Sequence, residues 1–195
     1  MEPHEHHLVM GSLTDFLSGH SLPDTHDERY RQKLARYLVL ELGYEKSDIR
    51  VDHEIKIQAG GRPAAIKVDF LIFQNGRAVM MVKYAPGSLV TRRLSNLALS
   101  RLIQPYQVPV VVTTNGEDAE IIIGKSGKLA GEGMNAIPGP KDSLIKDLSN
   151  PDEPIPASTV DKASKIAYAC EVDGSCMMDT DFKCSSWYCY PSDKS

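Results

Sequence analysis

One carboxylate and one amine are set inside largely apolar stretches. Asp69 is the one carboxylate of the run Ile66 to Ile72, and Lys83 is the one cation of the run Ala78 to Tyr84. A carboxylate or an amine set among apolar side chains is costly unless it is paired or put to use. Asn75-Gly76 between the runs is a strong two-residue turn signal, so the two strands are neighbours. Two readings stay open on the residues alone: a partly buried Asp69–Lys83 ion pair or groups reaching solvent at the sheet edge, and a working site. Directly after Lys83, Pro86-Gly87-Ser88 leads into Thr91-Arg92-Arg93, with Arg101 further on. Hydroxyls and guanidiniums in a loop suit a phosphate or nucleic-acid backbone, and they equally suit a plain loop and helix start.

A third set is confined to the tail. Cys170, Cys176, Cys184 and Cys189 are the four cysteines of the chain, so no disulfide scaffold spans the whole molecule. The set lacks a CxxC pair, the commonest zinc-ribbon spacing, yet four thiols this close could close around Zn²⁺ or an iron–sulfur cluster. Free thiols and disulfides are the alternatives, the latter disfavoured in a cytosolic setting.

The elements that must position these groups are legible. Thr25-His26-Asp27-Glu28 fits a capping box, and a helix is predicted from there to Leu42, with Gly43 as its left-handed end. Tyr30, Leu34, Tyr37, Leu38 and Leu42 mark one face; Arg29, Lys33 and Arg36 mark the other. Ile49 to Ile57 alternates as a half-buried strand, and Gly60-Gly61 turns the chain. In the second strand Ile66, Val68, Phe70 and Ile72 are expected on one face and Lys67, Asp69 and Leu71 on the other. A third strand to Tyr84, a helix over residues 90–103, and strands Pro109 to Thr113 and Ala119 to Ile123 complete an αβββαββ order. A meander followed by a helical crossover predicts a mixed sheet with a helix on each face, an α/β (α+β) fold.

The order and spacing of several fragments carry a resemblance. They are Glu28-Arg29-Tyr30-Arg31-Gln32, Tyr37-Leu38, Glu41-Leu42-Gly43-Tyr44, Ile49-Arg50-Val51-Asp52, Asp69, Lys83-Tyr84-Ala85-Pro86 and Thr114-Asn115-Gly116. Over roughly residues 24–131 the chain resembles the N-terminal, PD-(D/E)XK nuclease-type domain of type I restriction enzyme R subunits and small stand-alone bacterial relatives. The resemblance implies a restriction-endonuclease-like fold. It implies Asp69, Lys83 and Glu28 as catalytic residues, with Mg²⁺ held by Asp69 and the Val82 carbonyl. It also implies DNA and other restriction-system subunits as partners. Some nucleases of this broad fold carry an iron–sulfur cluster in a Cys-rich C-terminus. Gln104 and Tyr106 are expected to pack structurally.

The sequence departs from that pattern at one position. The Glu-x-Lys triplet expected on the third strand is Met81-Val82-Lys83. Mg²⁺ binds through carboxylates, carbonyls and water, and a soft, uncharged thioether cannot replace Glu there. Met81 and Lys83 share a strand face, so Met81 falls where the second ligand belongs. Rescue would need a carboxylate from elsewhere, such as Glu28, Asp52 or Glu54. The leading expectation is a catalytically degenerate domain acting in nucleic-acid binding or protein interaction linked to DNA restriction or repair. An active Mg²⁺-dependent endonuclease with a relocated ligand is the alternative. A structural or regulatory protein without nucleic-acid contact is the third.

Bulk properties set the frame. With 195 residues, 42% of them hydrophobic and 25% charged, the chain has room for one well-buried core plus extensions. No apolar run approaches the ~20 residues of a membrane span, and the N-terminus is acidic and His-rich (His4, His6, His7), so a cytoplasmic location is expected. The net charge of −4 hides 16 Lys/Arg against 12 Asp/Glu in residues 24–130. Such a basic core between acidic flanks permits a polyanionic partner. The expected organisation is an arm over 1–23 with a short helix from Leu13 to Leu17, a domain over 24–131, a linker or surface crossing over 132–157, and a helix from Ser158 with a Cys-rich tail over 158–195.

Overall fold

In the computed structural model, which describes residues 9–148, 154–173, 182–185 and 188–191, the Thr25 hydroxyl accepts a hydrogen bond from the Glu28 N–H (3.1 Å) and so opens helix α1, His26–Arg36. The Glu28 carboxylate does not complete the capping box; it is drawn instead to Arg31 and Gln32. Past Arg36 the helix widens into a π-helical turn, Tyr37–Glu41, closed by the Leu42 N–H on the Tyr37 carbonyl (3.1 Å). Gly43, at φ 84°, ends it as expected.

Among the described residues of the arm, 9–23, no helix forms. They make a hairpin of β1 (Ser12–Thr14) and β2 (Ser21–Pro23), with Leu13 opposite Leu22. The Asp15 carboxylate collects the Ser18 N–H and hydroxyl, and the Asp15 carbonyl accepts from Gly19. These local bonds give the backbone a turn in place of the predicted helix.

The meander follows as β3 (Ile49–Ala59), β4 (Arg62–Gln74) and β5 (Arg77–Tyr84). Asn75 and Gly76, both at positive φ, make the turn their sequence announced. Helix α2 (Arg93–Ser100) carries the chain across to β6 (Val110–Thr114), parallel to β5. Antiparallel β7 (Ala119–Ile123) and β8 (Leu129–Glu132) complete a six-stranded mixed sheet of order β3-β4-β5-β6-β7-β8. Strand β8 has no apolar alternation and contains Gly131, which explains its silence in the sequence.

Two cores lie on opposite faces of the sheet. One packs Leu34, Leu38, Ile72, Met80, Val82 and Val112; the other packs Leu71, Met81, Leu99, Val111 and Ile122. Every residue of β6 is buried, which is why it reads as a continuous Val-rich run.

Residues 132–148, expected as linker, belong to this body. Ile137 and Ile145 are buried in the α1-side core, the latter on α3 (Ser143–Leu148). The Tyr44 hydroxyl donates to the Pro138 carbonyl (2.9 Å), tying the segment to the chain just past the π-helical turn. The last long helix, α4 (Ala157–Glu171), places Ala163, Ala167 and Cys170 in the α2-side core. Ser158 and Asp161 do not cap it; Asp161 pairs with Lys165 instead. A hairpin of β9 (Phe182–Ser185) and β10 (Tyr188–Pro191) sets Cys184 opposite Cys189 in register. Among the described residues no helix is long and apolar enough to cross a membrane.

Candidate functional site

Strand β4 breaks its own alternation at Asp69. Ile66 and Val68 join the α2-side core, whereas Phe70 and Ile72 join the α1-side core. The single-face expectation for these four residues is therefore corrected: Leu71, not Phe70, continues the face of Val68. The β4–β5 pairing runs from Gln74–Arg77 to Phe70–Val82 and stops there. Beyond it the Tyr84 N–H donates to Asp69 Oδ2 (2.9 Å), a side chain serving where a ladder carbonyl would. On β3, whose pairing with β4 omits position 52, Asp52 takes φ 49°, unusual for a non-glycine residue.

This irregular point is filled by Arg31 of α1. Its Nε lies 3.1 Å from Asp69 Oδ1, its Nη1 lies 3.2 Å from Glu28 Oε2, and its Nη2 meets Asp52 Oδ1. The Nε contact is an ion pair without hydrogen-bond alignment, since that nitrogen is buried and makes no aligned bond. Burial pushes the Asp69 carboxyl above its ordinary 3.8. Arg31, Lys83 and the Tyr84 amide pull it back only in part, and Asp52 adds to the rise. Tyr84, stacked on Tyr30 at 5.7 Å, has its phenol pushed up to about 12 by burial and by the Asp27 carboxylate.

Lys83 has a different partner. Its Nζ lies 3.3 Å from Glu171 Oε2 at the end of α4 and 3.4 Å from the Lys67 carbonyl. The Ser95 hydroxyl on α2 donates to the other Glu171 oxygen (2.7 Å). Asp69 and Lys83 thus do not make the direct pair that one reading expected; each is answered from a helix. Neither Arg31 nor Glu171 was singled out from the sequence. The available signal for Arg31 was that it lies off the face marked by Arg29, Lys33 and Arg36, three residues after Glu28.

Met81 has no exposure and sits in register with Leu71 and Val111 inside the α2-side core. Val82 is in register with Phe70 on one side and Val112 on the other, so its backbone lies within the sheet. Mg²⁺ demands a near-octahedral shell of oxygens. The implied positions supply one carboxylate committed to Arg31 and the Tyr84 amide, a thioether enclosed by apolar strands, and a strand backbone. That donor set does not fit Mg²⁺. Among the described residues no group of three or more His, Cys, Asp or Glu is arranged to hold a metal.

The loop after Lys83 brings Ser88, Arg92 and Arg93 to the start of α2, while Arg101 lies at its other end. Ser88 is exposed; Arg93 makes a bidentate pair with Glu120 of β7 (2.6 and 2.7 Å). Arg101 donates to Gln107 (3.1 Å). Tyr106 packs structurally, its hydroxyl accepting from the Ala78 N–H (2.9 Å). Two clefts lie away from Asp69 and Lys83. One of about 380 Å³ is lined by Leu34, Tyr37, Leu40 and Met134. The other, about 400 Å³, lies between β1 and α1 and is edged by Arg29, Lys33 and Arg36. Of the cysteines expected as a cluster, Cys170 is disulfide-bonded. Cys176, the side chains of Cys184 and Cys189, and the N-terminal histidines lie outside the described residues.

With this geometry in hand, comparison with known proteins gives one result. The family model described as type I restriction enzyme R protein N terminus (HSDR_N) matches residues 26–138. The matched span opens at α1 and takes in the whole six-stranded sheet, while α3 and α4 lie beyond it. No curated protein and no solved structure matches the chain.

Proposed function

The chain belongs to the family of type I restriction enzyme R protein N-terminal domains, and from that premise we propose that it serves DNA restriction as a domain that contacts DNA without cutting it. The observation that carries this reading is the Arg31 guanidinium among Glu28, Asp52 and Asp69. These include two of the three carboxylates a relocated metal site would draw on, and they surround a cation that the chain itself supplies. A permanently charged guanidinium offsets their mutual repulsion and leaves no demand for a divalent ion. Met81 stands where the Glu-x-Lys pattern would place a second carboxylate.

Contact with DNA is supported by charge and access. Residues 24–130 carry an excess of basic side chains. Ser88, Arg92 and the exposed Pro86-Gly87 stand at the loop beside Lys83, and Lys33 and Arg36 share one face of α1. Such groups recognise phosphates without reading bases.

A short labelled duplex titrated with the protein at increasing salt tests the reading, with the same DNA run on a denaturing gel after incubation with Mg²⁺ or Mn²⁺. The expected result is binding whose log affinity falls linearly with log salt, and intact DNA. Binding indifferent to salt would overturn the backbone contact. Cleavage that disappears in Lys83→Ala would overturn the non-cutting half and restore the endonuclease reading. In that case Glu171, at 3.3 Å from Lys83, would be the relocated carboxylate to test first.

A further inference from the structure

We propose that the Glu171 carboxylate occupies a phosphodiester-binding point formed by Lys83 and Ser95, so that helix α4 acts as an internal competitor for the DNA backbone. The inference rests on the DNA-contacting reading above and adds to it a resident anion and the element that delivers it.

The two receptor groups come from within the family-matched span, one on β5 and one on α2, and the anion comes from outside it. Each oxygen of Glu171 has its own donor: Oε2 the Lys83 ammonium at 3.3 Å, Oε1 the Ser95 hydroxyl at 2.7 Å. A phosphodiester presents two non-bridging oxygens with one negative charge, the same demand on the same two donors. The arrangement is largely shut from water, with the Lys83 and Glu171 side chains 15% and 10% exposed. A carboxylate so placed repels a second anion, and it is the charge-assisted contact with Lys83 that keeps this side chain over the ammonium, so loss of the charge frees the point for a phosphate.

Alpha-4 is held in this position by more than that pair. Ala163, Ala167 and Cys170 pack in the core that contains Ala98 and Leu99 of α2. On either side of Glu171, Arg62 of β4 stacks over the Tyr168 ring at 4.8 Å and bonds the Asp173 carboxylate at 3.0 Å. Arg62 is itself largely exposed, so this outer clasp can open without disturbing the sheet.

The test uses the full chain and a short fluorescent duplex at low salt. Glu171→Gln keeps the size of the side chain and an oxygen for Ser95 while deleting the charge. It should bind the duplex about tenfold more tightly than wild type, the size of one charge-assisted contact. Its salt slope should steepen by about one, as expected for one added phosphate contact. The gain should vanish in the double variant Glu171→Gln with Lys83→Met. Unchanged affinity in Glu171→Gln, or a gain that survives loss of Lys83, would overturn the proposal. If Glu171→Gln melts early, Arg62→Ala, which loosens the clasp and leaves Glu171 in place, is held to the same Lys83-dependent gain. Wild-type binding that follows salt but ignores both changes would leave the DNA-contacting reading standing and remove this inference alone.

Discussion

A guanidinium among three carboxylates carries its charge permanently, whereas a divalent ion in the same place is held only at sufficient concentration and only by a matching shell. Arg31 therefore binds α1 to β3 and β4 under all conditions in which the carboxylates are ionised. Replacing it by Ala leaves Glu28, Asp52 and Asp69 facing one another, with Asp69 poorly solvated. For a pair of this partial exposure the loss should be about 2 kcal/mol, below the figure for a fully buried pair. Millimolar Mn²⁺ should raise the melting temperature of Arg31→Ala and leave wild type unmoved; differential scanning fluorimetry reads both. Asp69 gives a second expectation. Its pKa is raised on folding, so the native state holds the proton more tightly than the unfolded chain. The stabilisation is full below the ordinary 3.8 and is lost as pH rises through the higher native value. Urea melts at stepped pH should thus show the stability of wild type relative to Asp69→Asn declining as pH climbs past 3.8; a rising difference would contradict the burial argument. Asp69 and Lys83 were visible in the sequence because each interrupts an apolar run. Their partners were not, because Arg31 and Glu171 are ordinary charged residues on helices until the packing of α1 and α4 decides which side chains meet.

The elements show where pattern suffices and where it fails. Helix α1, the Asn75-Gly76 turn and the buried β6 follow from capping, turn chemistry and hydrophobic runs, which are local. The break at Asp69 does not, since period-2 reasoning assumes an even ladder and this ladder is interrupted by the Asp69 carboxylate, which takes the Tyr84 N–H, and by the positive φ of Asp52. Strand β8 and the packed stretch through Ile137 and Ile145 escaped for other reasons: β8 is largely exposed, and in the Pro- and Gly-rich stretch after it the burial of Ile137 and Ile145 depends on α1 and on the bond from Tyr44. A close approach at the end of the β6–β7 pair can be tested directly. A Cβ on Gly124 would stand 2.1 Å from the Val108 carbonyl oxygen, a backbone atom that cannot swing aside. Gly124→Ala should cost about 2 kcal/mol or more and lower the melting temperature by about 5 °C. Calorimetry showing no loss would mean that the loop before β6 is not fixed as described.

At the scale of the whole molecule, the family-matched span supplies the sheet, most of the two cores and the irregular point at Asp69, and the C-terminal region completes the cores and adds a helix that ends on Lys83. The charge asymmetry seen in the sequence, basic over 24–130 and acidic outside it, has a concrete form in that contact: an acidic side chain of the flank lies on a basic one of the core. The proposed role requires Arg31, the chain's own cation, in the place of a metal. Isothermal calorimetry of the wild-type protein with MnCl₂ tests this most directly, with Asp69→Asn as the control. The prediction is no saturable heat in wild type up to millimolar ion. Stoichiometric Mn²⁺ binding that is lost in Asp69→Asn would contradict it.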